Sequence, residues 1–237
     1  MQSKTPRPGW VTSIAALVLL ALTLYASYWQ FGRAGSKAQS HQQYLARQAM
    51  PPLTLNSSIP GNDAVAYRKV RVTGKYVPEK AILLDNKVRE GSAGYEIIVP
   101  LEIPGTSRHV LVNRGWVAGG RDRTMQPAID VPGGIVVVTG TAVVPGPGAL
   151  QLSEHVIEGR VWQNLDVARF RERQKLHVLD FVVQEESDRD DGVRRDWPSP
   201  GFGIEIHQLY AVQWLLFAVL IVFFYIYYGF VRKKLDK

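Results

Sequence analysis

The stretch YAVQWLLFAVLIVFFYIYYGF, Tyr210–Phe230, decides how the rest of the chain is read. It carries no charge, and at about 1.5 Å per residue a helix of this length covers about 31 Å, enough to cross the hydrocarbon core of a bilayer. Val11–Trp29 is a second uncharged apolar run. Both read as transmembrane helices, spanning 11–31 and 207–230, with aromatics near an end of each (Tyr25, Tyr28, Trp29; Tyr225, Tyr227, Tyr228), as at membrane interfaces. The first run exceeds a signal-peptide core and has no small-x-small cleavage site before Tyr28, so it is expected to be retained. Thr12, Ala16, Thr23 and Ser27 fall on one face of it, and such a small, weakly polar stripe lets another helix approach closely.

Charge then sets the topology. The formal net charge is +7. The bases Lys4, Arg7, Arg232, Lys233, Lys234 and Lys237, against the single acid Asp236, account for five of those charges and flank the two apolar runs. By the positive-inside rule, residues 1–10 and the tail 231–237 belong in the cytoplasm and 32–206 on the far side, in the periplasm. The exported part is then nearly neutral, which removes the case for nucleic-acid binding; anionic membrane lipid accounts better for bases beside the spans. Cysteine is absent, so disulfides, thiolate metal sites, iron–sulfur clusters and a cysteine nucleophile are excluded.

Between the spans the pattern changes. Arg33–Arg47 is polar and helix-compatible, continuing from the first span until Pro51 and Pro52 stop it. YRKVRVTGKYV from Tyr67, AILLD, GYEIIVPLEI, RHVLVNRGWV, IVVVTGTAVV and LHVLDFVVQE read as strands of one antiparallel or mixed sheet, separated by Gly- and Pro-containing turns. Gln163–Gln174 reads as a helix. SDRDDGVRRDWPSPG, before the second span, reads as a solvated linker. The fold class is thus a membrane protein with two helices flanking one exported β-rich α+β domain.

No Walker loop, HExxH or GxSxG is present. DRDDG at Asp188–Gly192 fails as a calcium loop, since Gly192 and Ser199 stand where ligands belong. His41, His109, His155 and His177 are isolated, and Met50 and Met125 are the only methionines after the first residue, so a copper carrier is not expected. Nothing in the spacing assembles a catalytic site, and enzyme function is not expected.

Four separated segments share a pattern. WQFGRAGSK supplies Trp29, Gln30, Arg33 and Lys37; YRKVRVTGKY follows; GYEIIVPLEI leads into VLVNRGWV; HQLYAVQW begins at His207. In this order, and with both apolar runs, they resemble the surfeit locus protein 1 family, assembly factors for cytochrome c oxidase. The resemblance covers about Trp29 to Trp214, loosely between Gly119 and Pro200. It implies an inner-membrane protein of the respiratory chain that binds or positions haem a for insertion into the large oxidase subunit. The partners it implies are that subunit and the haem a synthesis machinery. A haem-independent membrane scaffold for an oxidase assembly intermediate is the alternative.

His207 precedes Tyr210 by three residues, about 4–5 Å of helix outside the uncharged run, with Tyr210 and Trp214 at i+3 and i+7. It is either an ordinary interfacial residue or, as the resemblance implies, the ligand of a haem iron flanked by Tyr210 and Trp214. A second imidazole, if needed, comes from a partner or from His41. In VLVNRGWV, Arg114 either ends a strand or pairs with a haem propionate or a partner carboxylate, with Asn113, Gly115 and Trp116 beside it. Trp29, Gln30 and Arg33 either anchor the first span or form a mouth with His207 on the exported side.

Overall fold

A computed structural model describes residues 9–56, 60–120, 126–145, 157–187, 189–198 and 200–231. Lys4, Arg7, Met125, His155, Asp188, Ser199 and the basic run Arg232–Lys237 lie outside the described residues. The chain divides into two compact units, one made of Met1–Gln43 with Pro200–Lys237 and the other of Tyr44–Ser199. Residues 32–43 and 200–206 thus belong to the helical unit.

The helical unit holds α1 (Trp10–Ala49) up to Gln43 and α4 (Ile204–Ile226), which ends in a π turn, Tyr227–Val231. Both helices are long and apolar enough to cross a membrane. A seam of shielded positions on α1 runs Ser13, Ala16, Leu20, Thr23, Ser27, Gln30, Ala34 and Lys37, with Ala26 and Ala38 also shielded beside it; the seam on α4 runs His207, Ala211, Trp214, Ala218, Ile221 and Tyr225. Spacings alternate between three and four on both helices, the 3.5-residue repeat of a coiled-coil seam. Cross-links show that the helices run antiparallel. Ser13 Oγ lies 2.7 Å from Tyr225 Oη, Ser27 Oγ donates to the Ala211 carbonyl at 2.9 Å, and Gln30 meets His207. Ala16, Ala211 and Ala218 supply the small surfaces of this approach. Thr12, expected on this face, is exposed, and Ser13 holds the seam instead, because the stripe follows 3.5 rather than 3.6 residues per turn.

Among the described residues of the second unit there are nine strands, β1 (Leu53–Leu55), β2 (Lys69–Tyr76), β3 (Ile82–Arg89), β4 (Ser92–Glu102), β5 (His109–Ala118), β6 (Ile135–Val143), β7 (Ile157–Glu158), β8 (Val161–Trp162) and β9 (Val178–Glu185). Two helices join them, α2 (Asn62–Val65) and α3 (Val167–Gln174). The sheet is mixed, in the order β1-β2-β6-β9-β5-β4-β3-β8-β7, and β2 also pairs with β4 through Lys75↔Glu102 and Tyr76↔Leu101. The strands β2, β6, β9, β5 and β4 thus close into a small barrel. Sequence alternation predicts the strands but not the closure. That depends on Gly74, where a Cβ would press on the Glu102 carbonyl and sit 2.8 Å from Leu101 Cγ, so the strand without a side chain is the one that meets its second neighbour.

Period-two alternation gives the barrel two distinct cores. Val70, Val72 and Tyr76 of β2, Tyr95 to Leu101 at odd positions of β4, Val110 and Val112 of β5, and Phe181 and Val183 of β9 fill the interior. The opposite positions, including Ile82, Leu84, Ile98, Leu111 and Val182, form an outer core with Trp162 and with Phe170 of α3. Asp166 caps α3, its carboxylate accepting from the Arg169 amide at 3.1 Å, and Lys175 ends it in the left-handed region. Trp162 is fully buried beneath this helix, its ring 5.9 Å from that of Phe170.

Candidate functional site

The inward positions of β5 and β9 do not stop at apolar residues. Continuing the alternation past Val112 reaches Arg114, and past Val183 it reaches Glu185; both side chains are almost wholly buried, at 1% and 0% exposure. Arg114 Nε donates to Glu185 Oε2 at 3.3 Å, Nη2 donates to Asp191 Oδ2 at 2.7 Å, and Nη1 donates to the Asp130 carbonyl. The guanidinium also lies over the Tyr76 ring, 5.6 Å from its centroid. Arg195 grips Asp191 through both terminal nitrogens, at 2.9 and 2.5 Å, and Ser187 Oγ donates to Glu185 Oε1 at 2.7 Å. With Arg189 Nε 3.9 Å from Glu185 Oε1, three arginines surround two carboxylates at one end of the barrel.

The environment tunes these groups as expected. Burial alone would raise the Asp191 carboxyl, but the hydrogen bond from Arg195, the Val193 amide and the neighbouring arginine charges hold it below the ordinary carboxylate value. Burial, reinforced by the Glu185 charge, pushes the Tyr76 phenol above its usual range.

This network fastens the segment read from sequence as a solvated linker. Arg194 forms an antiparallel bridge with Trp116, the two backbones exchanging hydrogen bonds at 2.8 Å. Its guanidinium also sits 5.7 Å from the Trp116 ring centroid. Trp197 Nε1 donates to the Glu185 carbonyl at 2.8 Å. The segment is charged because its charges have partners in the barrel, and composition alone could not separate that from solvation.

Every polar residue of the VLVNRGWV segment serves this arrangement. Asn113 donates to Glu96 at 2.9 Å and accepts from the Gly115 amide at 3.2 Å. Gly115 has φ of 128°, and a Cβ there would collide with the Arg194 carbonyl and lie 2.6 Å from Val193 Cγ1. Trp116 donates to the Lys87 carbonyl at 2.7 Å. Arg114 does not snorkel outward: it is buried, and each of its three nitrogens makes a hydrogen bond at the barrel end.

In the helical unit, His207 is half-buried, and its Nδ1 lies 2.7 Å from Gln30 Oε1. With its amide oxygen turned toward the ring, Gln30 accepts from an Nδ1–H of His207. Among the described residues Nε2 makes no hydrogen bond. Trp214 shares the seam with His207, whereas Tyr210 lies beside it, 50% exposed. On α1, Trp29 flanks Gln30 on the exposed side, and Arg33 Cζ lies 5.7 Å from its ring centroid. The structure therefore brings Gln30 and His207 into contact and leaves Trp29, Arg33 and Tyr210 around them. His41 lies against Phe202, the rings tilted by 38° with centroids 4.9 Å apart. It lies eleven residues beyond Gln30 on the same helix, about 16 Å away along the axis, so the two imidazoles do not converge. Among the described residues no group of three or more His, Asp or Glu side chains is placed to hold a metal ion.

Two apolar helices long enough to span a bilayer, flanking a small closed barrel whose end is tied by buried charges, define a helix-flanked barrel protein. The chain belongs to the SURF1 family, whose model matches residues 17–219. It is 32% identical over 118 residues to a SURF1-like protein of Mycobacterium bovis, a match covering 47% of this chain and 43% of that one. The chain therefore aligns with less than half the length of that mycobacterial relative. SURF1-like proteins of Rickettsia felis and Rickettsia conorii match at 25% and 21% identity, over 73% and 92% of this chain and 74% and 90% of theirs.

Proposed function

We propose that this protein is an assembly factor for cytochrome c oxidase, embedded in the inner membrane by α1 and α4 with both ends in the cytoplasm and the barrel in the periplasm. It holds haem a as cargo for the large oxidase subunit and acts by binding and positioning rather than by turnover. The observation that carries this reading is His207. A half-buried imidazole sits just outside a long uncharged run, with Nδ1 engaged by Gln30 and Nε2 without a hydrogen bond among the described residues. Metal-binding histidines use this arrangement, one ring nitrogen fixed by a hydrogen bond and the other offered to the metal.

His207 would ligate the iron, with Trp214 on the same seam and Tyr210, Trp29 and Arg33 at its margin. The remote placement of His41 leaves a single imidazole, which suits a carrier that must release what it holds. In this account Arg114 serves the barrel end, through Glu185, Asp191 and the Asp130 carbonyl, rather than the cofactor. The large oxidase subunit and the haem a synthesis machinery are the partners, and membrane lipid surrounds the helices.

The reading is tested in cells lacking the endogenous protein. Expression of the wild-type chain should restore haem a in the membrane oxidase, and His207→Ala, accumulating to the same level, should restore a tenth or less. Full restoration by His207→Ala would leave the haem-independent scaffold as the surviving account.

A further inference from the structure

The geometry points to Gln30 as the positioning residue of His207: its side-chain carbonyl fixes the imidazole in the Nδ1–H tautomer and presents Nε2 as the ring's only lone pair. The inference rests on the proposed role of His207 as a ligand, but its first readout needs no haem.

Three observations support it. The Nδ1 to Oε1 distance is 2.7 Å in a part-buried setting. This is short for a nitrogen donor, and partial exclusion of water strengthens such a bond. Gln30 is also held in place by its neighbours on the seam. Ser27 and Ala34, one turn to either side, are 5% and 4% exposed, and Ser27 Oγ is bonded across the seam to the Ala211 carbonyl. The two backbones are thus pinned a turn away, so the amide reaches His207 without searching many rotamers. Finally, the atoms are matched in kind. With the Gln30 oxygen rather than its NH2 turned to Nδ1, the neutral ring makes the contact only as the Nδ1–H tautomer.

An interhelical hydrogen bond that merely tightened the packing would set the same tautomer but leave haem a affinity unchanged, so the tautomer and the affinity are read together. Full-length protein in lipid nanodiscs, with 15N-labelled histidine and no haem, is measured at pH 8.5, and the His207 resonances are assigned by their loss in His207→Ala. The wild-type protein should show a protonated Nδ1 and an unprotonated Nε2. Gln30→Leu should shift the balance to Nε2–H, and Gln30→Glu, which keeps an acceptor, should retain Nδ1–H. On loading with haem a, Gln30→Leu should bind about 10- to 100-fold more weakly and Gln30→Glu should recover most of the loss, as for other second partners of ligating histidines.

A wild-type His207 in the Nε2–H form, or a tautomer unchanged in Gln30→Leu, would overturn the inference. If the tautomer follows Gln30 while neither wild type nor variant takes up haem a, the positioning stands and the haem reading alone fails.

Discussion

Arg114→Ala should lower the stability of the barrel by about 3 kcal/mol, read as a loss of denaturant midpoint in the full chain followed by tryptophan fluorescence. Removing one partner of a buried ion pair costs about 3–5 kcal/mol, because the other charge stays buried without compensation. Here the lower end applies, for a reason visible in the contacts. Glu185 keeps Ser187 at 2.7 Å and Arg195 at 3.7 Å, and Asp191 keeps both nitrogens of Arg195. Against a typical total of about 5–15 kcal/mol, the loss is still a large fraction. Arg114→Met combined with Glu185→Gln should recover much of it, since the second change removes the stranded charge. If Arg114→Ala unfolds like the wild type, the guanidinium is not bearing on the barrel and becomes available to an external anion.

Gly115→Val should be at least as damaging, by about 3 kcal/mol or more, for a different reason. At φ of 128° a β-branched residue is strained by about 1–3 kcal/mol whatever surrounds it. The side chain would also displace the Arg194 carbonyl, and with it the bridge between Trp116 and Arg194. The strap from Glu186 to Trp197 should then detach, which limited proteolysis detects as new cleavage at Arg189, Arg194 or Arg195. Because Arg114→Ala and Gly115→Val release the same strap, their costs should add to less than their sum. Independent, additive costs would mean that the ion network and the bridge hold separate elements.

Much of this fold is legible in the sequence, and the exceptions have physical causes. The two apolar runs fix the flanking helices, and the stops at Pro51 and Pro52 place the end of α1 correctly. Alternation in YRKVRVTGKYV and LHVLDFVVQE marks the inward faces of β2 and β9. The same alternation puts Glu185 on the face of Phe181 and Val183, a signal that a buried carboxylate was present and needed a cation. What alternation cannot convey is which strands meet, so the β2–β4 closure was not foreseeable from periodicity. The strap was misread for a related reason, since a charge-dense segment looks solvated until its partners, 77 residues away at Arg114 and 104 away at Glu90, are placed. Arg114 illustrates this: the sequence marks it as unusual but does not say whether it faces a ligand or its own core. Gln30 and His207, 177 residues apart, were linked only through the expectation that both apolar runs emerge on one side.

The central claim, that His207 presents its free nitrogen to a haem iron, is tested most directly by visible absorption of the purified protein co-expressed with haem a synthesis. The account predicts a haem a band in the wild-type protein and its loss in His207→Ala, with the barrel fold intact in both. A band of equal intensity in His207→Ala, or none in the wild type when haem a synthesis is verified in the same cells, would contradict it.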